Sequence, residues 1–222
     1  MTLRYRFNDL SFQTYFEDPE AAKNEIMLLF GKAVEAWGDA CPVTFTLAEE
    51  NTDFEIVMMQ STSCNNLGCV LASAFFPDRG RHHLRIYPTL LEQERNEQVE
   101  TLCHEIGHVF GLRHFFANIR ETGLPSHLFG SDNELSIMNY GSKSVLTETD
   151  KADLKNLYRL AWSGELTEID GAPIHLIRPF SSTTENLRSS TLAARSVKST
   201  PGKAPSTGTI QLIVGGRTIS IE

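Results

Sequence analysis

Ile26, Leu29, Phe30, Ala33 and Trp37 recur at helical spacing and form one apolar stripe, which a helix must bury against a neighbour. Asp18-Pro19-Glu20 precedes the stripe with a cap, a first-turn proline and an early acid, so the helix opens there. Leu154, Leu157, Tyr158 and Trp162 mark a second apolar face late in the chain. Thr147 and Asp150 stand ahead of it at capping-box spacing. Between these helices, β-branched and aromatic runs predict strands at 43–48, 54–59, 69–76 and 83–87. A further helix is expected from about Glu92 to Gly111, and residues 115–145 read as irregular.

The pattern changes after Trp162. Residues 181–208 hold 12 Ser or Thr in 28 positions, with Pro201, Pro205, Gly202 and Gly208, the composition of a flexible linker. Thr209 to Ile221 reads as a β-hairpin turning at Gly215-Gly216. A lone hairpin is not stable in water, so it is expected to dock on its own domain or on a partner. The expected organisation is one domain over 1–162 and an extension over 163–222.

The chemistry concentrates in His104-Glu-Ile-Gly-His-Val-Phe-Gly-Leu-Arg-His114. Residues four apart share a helix face, so His104 and His108 can aim their imidazoles at one ion. Glu105 projects beside that pair, where it can hold a water without ligating the metal. Gly111 lets the helix stop and turn, which brings His114 round as a third ligand. Three protein ligands leave a fourth tetrahedral position open, the mark of a catalytic rather than a structural zinc. Met138 follows His114 by 24 residues in the turn-prone Ser136-Ile-Met-Asn-Tyr140, where it would form a hydrophobic floor under the histidines. The alternative, satisfied histidines and an ordinary core methionine, requires five coincidences at once.

These residues resemble the metzincin clan of zinc endopeptidases over about residues 1–162. The resemblance implies an α+β zincin fold: a twisted mixed sheet, a backing helix, an active-site helix and a C-terminal helix. The first half is most similar to a matrixin catalytic domain, with Leu3–Phe7 as its opening strand. Val70 to Pro77 resembles the edge strand on which matrixins bind extended substrate, which makes Leu71, Ala72, Ser73 and Ala74 substrate-binding candidates. Two departures stand out. Matrixins usually carry a histidine where this chain has Ser73, so no second, structural zinc is expected, although His83 matches another ligand of that site. Tyr140, two residues after Met138, looks instead like astacins and serralysins, and that likeness implies a hydrogen bond to the oxyanion; the alternative is a packing tyrosine. Calcium is common in matrixins, but no acidic loop is dense enough to assign it, with Asp78 the sole carboxylate in its loop.

Net charge is −8, and residues 163–222 carry six basic and five acidic residues, so the acid excess lies in the first domain. That argues against nucleic acid and mildly favours neutral or basic polypeptides. No run approaches the roughly 18 apolar residues of a membrane span. The N-terminus lacks a signal-peptide pattern, and the chain begins almost at its first strand, as a mature or trimmed protein would. Cys64 and Cys69 either close a small disulfide loop in an oxidising compartment or remain two cytosolic thiols. The first option, favoured here, fits a secreted protein. Cys103 reads as buried packing, and Cys41 has no evident partner. The expected function is a zinc-dependent endopeptidase with one catalytic Zn2+ and Glu105 as general base and acid. The rival is a catalytically silent zinc-binding module that recognises peptides.

Overall fold

The computed structural model of the chain describes residues 1–66, 68–77, 82–121, 126–131, 133–141 and 143–182. The hairpin expected over 209–222, most of the linker expected over 181–208, and Asp78 lie outside the described residues. The strands are β1 (Thr2–Phe7), β2 (Thr44–Leu47), β3 (Phe54–Met58), β4 (Ser63–Asn65), β5 (Gly68–Val70), β6 (Ala72–Ser73), β7 (His82–Ile86), β8 (Glu168–Ile169) and β9 (Ala172–Pro173). The helices are α1 (Asp9–Tyr15), α2 (Pro19–Trp37), α3 (Pro88–Leu91), α4 (Arg95–Val109), α5 (Ala117–Arg120) and α6 (Glu148–Ser163). Five strands form a mixed sheet in the order β2-β1-β3-β7-β6. β1, β2, β3 and β7 run parallel, and β6 closes one edge antiparallel to β7, with Ala72 opposite Ile86 and Ser73 opposite Arg85.

The stripe on α2 behaves as its spacing requires. Ile26, Leu29, Phe30, Ala33 and Trp37 are all buried. Phe30 meets Tyr5, Phe45 and Phe54 in an aromatic cluster over the sheet. Trp37 turns to α4 instead: its indole donates to the Cys103 carbonyl at 3.1 Å, and its ring stands edge-on to Phe110. Each such buried aromatic stabilises by a few kcal/mol, so this contact ties the backing helix to the helix that carries the histidines. Cys103 is buried beside it, with Sγ 3.7 Å from the Ala33 carbonyl.

Several expected elements are corrected. The seven-residue α1 was not anticipated; it buries only Phe12, too little to show a period, and is opened by Asn8, whose side chain accepts from the Ser11 N–H. The strand expected over 69–76 divides at Leu71. Its first part pairs with β4 in a hairpin closed by the Cys64–Cys69 disulfide, and its second part is β6. The helix expected over 92–111 is shorter, because Pro88 starts the separate turn α3 and α4 opens at Arg95. Within the stretch read as irregular, α5 adds one turn. Trp162 is half exposed rather than buried, because it sits in the last turn of α6 at the surface, edge-on to Tyr158.

The chain past Trp162 is described as far as residue 182. Beyond α6, β8 and β9 turn at Asp170-Gly171, both at positive φ, and the chain then returns across the domain. Leu176, Ile177 and Phe180 line an apolar groove with Leu3, Tyr158 and Trp162. Ser181 is buried, and its N–H and hydroxyl both donate to the Asp53 carboxylate at 2.7 Å. Asp53 also accepts the Arg4 N–H. The packed unit therefore extends to Ser181.

Candidate active site

Two of the three histidines are placed by helix geometry alone. His104 and His108 stand one turn apart on α4, with ring centroids 4.7 Å apart. The helix ends at Phe110 in a Schellman motif: Gly111 N–H donates to the His108 carbonyl at 2.8 Å and Leu112 N–H to the Gly107 carbonyl at 3.0 Å. Gly111 sits at φ +89, a conformation a side chain resists. The reversal brings His114 back to the pair, with its Nε2 3.2 Å from that of His104. One donor atom from each of the three rings lies within 4.8 Å of the others. Among the described residues no other group of three His, Cys, Asp or Glu side chains closes in this way.

The second nitrogen of each ring meets an oxygen. His104 Nδ1 faces the Ile137 carbonyl at 2.6 Å, and His108 Nδ1 faces the Leu112 carbonyl at 2.8 Å. His114 Nδ1 faces the Glu121 carboxylate at 2.5 Å. A carbonyl oxygen can only accept, so these bonds place the proton of His104 and His108 on Nδ1, and the Glu121 carboxylate favours the same for His114. All three Nε2 lone pairs are thereby turned to one point. Burial, together with mutual repulsion, holds the rings neutral: His104 is pulled down to about 4 and His108 to about 3. Converging lone pairs on neutral buried imidazoles are unfavourable alone and are what a divalent cation needs. The residues fit a zinc ion, with His104, His108 and His114 as its nitrogen ligands.

Met138 lies beneath. Ser136 to Asn139 forms a turn closed by a 3.0 Å bond from the Asn139 N–H to the Ser136 carbonyl. A Cβ on Gly107 would stand 2.4 Å from Met138 Sδ, so glycine at that position lets the methionine press against α4. Asp150 fixes the turn to α6: its carboxylate accepts from Ser136 Oγ at 2.5 Å, the Ile137 N–H at 3.3 Å and the Thr147 N–H at 2.9 Å. The capping box over Thr147 and Asp150 is present, and its acid serves the site as well.

Glu105 is buried on the same helix. Burial pushes its carboxyl up to about 7, opposed by a hydrogen bond from the Ala74 backbone. Its Oε2 is buried with no hydrogen-bond partner among the described residues. Thus the edge of the sheet touches the candidate base. Leu71, Ala72, Ser73 and Ala74 all lie along that edge, with the Leu71 carbonyl taken by the Tyr87 N–H at 3.0 Å.

Tyr140 stands on the open side of the cluster, 67% exposed, with its ring 4.4 Å from that of His114 and 5.7 Å from that of His104. It is not packed below the site. Phe76 stands edge-on to His108, and Phe116 lies flat on His114. Ser73 pairs with Arg85 on β7, while His83 lies 3.8 Å from Glu55, which also binds Arg6.

Glu121 is the residue that sequence reasoning missed. It is seven positions from His114 and follows no periodic pattern; only the short α5 folds it back. Burial pushes its carboxyl up, but the bonds from His114 and Arg113 prevail and hold it below the ordinary range, so it is ionised.

A model of the matrixin family of peptidases matches residues 4–120. The chain belongs to the matrixin family. Membership accounts for the mixed sheet, backing helix and histidine helix. Stromelysin-3 of Mus musculus and of Homo sapiens is each 26% identical over 122 residues, covering 50% of this chain and 25% of that protein. The match thus spans about a quarter of the length of these curated relatives. Among solved structures, myroilysin is 14% identical with a TM-score of 0.46, covering 71% of this chain and 92% of that one. High choriolytic enzyme 1, a hatching enzyme zinc-protease from Oryzias latipes, is 13% identical with a TM-score of 0.43, covering 71% and 89%. No helix among the described residues is long and apolar enough to cross a membrane.

Proposed function

We propose that this chain is a zinc-dependent endopeptidase whose metal is held by His104, His108 and His114 and whose general base is Glu105. The observation that carries the reading is the convergence of three Nε2 lone pairs beside a buried carboxylate that touches the sheet edge. When bound, zinc supplies Lewis acidity, which makes a water easier to deprotonate near neutral pH and polarises a carbonyl. Glu105 takes the proton of the attacking water and passes it to the leaving amine. Its burial keeps the charged form costly, so the carboxylate is a stronger base than one in water. Tyr140 donates its hydroxyl to the oxyanion. Met138 and Gly111 take no proton: one supports the ligands and the other turns the chain between them.

Substrate binds extended along β6. Backbone groups alternate sides along a strand. The Leu71 carbonyl faces β7, so the N–H and carbonyl of Ala72 face the open edge, where a peptide adds as a further strand. Leu71, Ser73 and Ala74 set the position of that edge. The disulfide at its head supports an extracellular setting. The catalytic domain is residues 1–162, and residues 163–222 are its C-terminal extension, which packs on it as far as Ser181.

The test is cleavage of a mixed peptide library, with and without a zinc chelator, beside Glu105→Ala. The expected result is chelator-sensitive cleavage by the wild type and loss of at least about 100-fold in the variant. No cleavage by the wild type, with zinc bound, would favour the silent peptide-binding module. Equal cleavage by the variant would remove Glu105 from the mechanism.

A further inference from the structure

The three ligands are not held alike. His104 and His108 are on α4 and use backbone carbonyls as partners, which the fold fixes in any case. His114 lies beyond the helix end, so α4 cannot orient it. Besides Tyr140, the contacts that hold its ring come from the flanking residues 113–121. Glu121 Oε1 meets His114 Nδ1 at 2.5 Å, and its other oxygen, Oε2, is held by Arg113 at 2.6 Å. Arg113 is almost fully buried, so the pair is not a loose surface contact of little consequence. Phe116 stacks on the outer face of His114 with centroids 5.0 Å apart, and Arg120 sits 5.2 Å over the far ring. Residues 113 to 121 thus close a clasp around one imidazole.

We propose that Glu121 is a positioning residue for the metal, acting through His114: anchored by Arg113, it keeps the imidazole's Nε2 turned to the other two and makes it the most basic of the three ligands. An anionic acceptor on Nδ1–H raises the electron density at Nε2, which a backbone carbonyl does less strongly. The inference rests on the zinc reading and on no step of the hydrolysis. The segment's side chains are then part of the metal site, although none touches the metal.

The experiment compares wild type, Glu121→Gln and Glu121→Ala in three readouts: zinc affinity by chelator competition, the visible spectrum of the cobalt(II) form, and the urea midpoint of the metal-free protein. Glu121→Ala is expected to weaken zinc about 10- to 100-fold, the usual effect of losing such a partner. Glu121→Gln keeps an acceptor for Nδ1–H but loses the charge, so its loss is smaller and intermediate. The cobalt bands are expected to shift in both, while the metal-free urea midpoints stay near wild type. Unchanged affinity and spectrum in both variants would overturn the proposal, as would an affinity loss that only follows a fall in metal-free stability. If the alanine variant does not fold, the isosteric glutamine decides. A wild type that takes up no zinc would overturn the metal reading itself, an outcome distinct from either.

Discussion

The sheet with its two long helices and the segment from Gly111 to Val145 hold the same site by different means. In the first, Trp37 and the α2 stripe are locked by apolar burial and regular backbone bonding. In the second, buried polar contacts do much of the holding among the described residues: Asp150 on the turn at Met138, Leu112 on His108, and Glu121 on His114. Burial is tolerant of exchange, since any shape of about the right volume fills most of the space. A buried polar contact is not, because removing one partner strands the other. The upper part therefore sets stability, and the lower part sets where the third ligand and the floor lie.

The sharpest way to break the contrast is to delete the centre of each part. Trp37→Ala removes a fully buried ring and its bond to Cys103, with an expected loss of about 3–5 kcal/mol in urea unfolding. The protein that remains folded should bind zinc nearly as well as wild type. Asp150→Ala strands Ser136 and the Ile137 N–H and is expected to cost less, about 2–3 kcal/mol. It should nevertheless weaken zinc more, because Ile137 carries the carbonyl that orients His104. The reverse ordering of zinc affinities would mean the two parts are not separable.

A smaller effect probes their junction. In Gly107→Ala the new methyl meets Met138 Sδ, and the expected cost is about 1–2 kcal/mol, as overpacking outweighs the better helix propensity. In a double-mutant cycle with Met138→Ala that cost should largely vanish. Additive losses would show that Met138 does not press on α4.

The same contrast governs what was legible in the sequence. Burial at helical spacing leaves a periodic trace, so the face of α2 and most of α6 could be read directly, and Trp162 failed only because it lies at the helix end. The histidine motif was legible because fixed offsets on a helix and a glycine stop determine geometry locally. The lower segment has no period: Asp150 reads as a cap, and nothing in the chain shows that it also holds the turn. Glu121 reads as a surface acid until α5 brings it to His114. Ser181 falls at the start of the stretch that reads as linker because Ser-rich composition speaks of entropy, not of a single buried serine that binds Asp53. Short elements such as α1 and β6 are fixed by the sheet they join rather than by their own residues.

The central claim is that His114, carried by the irregular part, completes one metal site with the two helix histidines. Zinc content per chain after exhaustive dialysis tests it most directly, measured on wild type, Glu105→Gln and His114→Ala. The account predicts one equivalent in the first two and a loss of most zinc in the third. A His114→Ala protein that still holds a full equivalent, or a wild type that holds none, would contradict it.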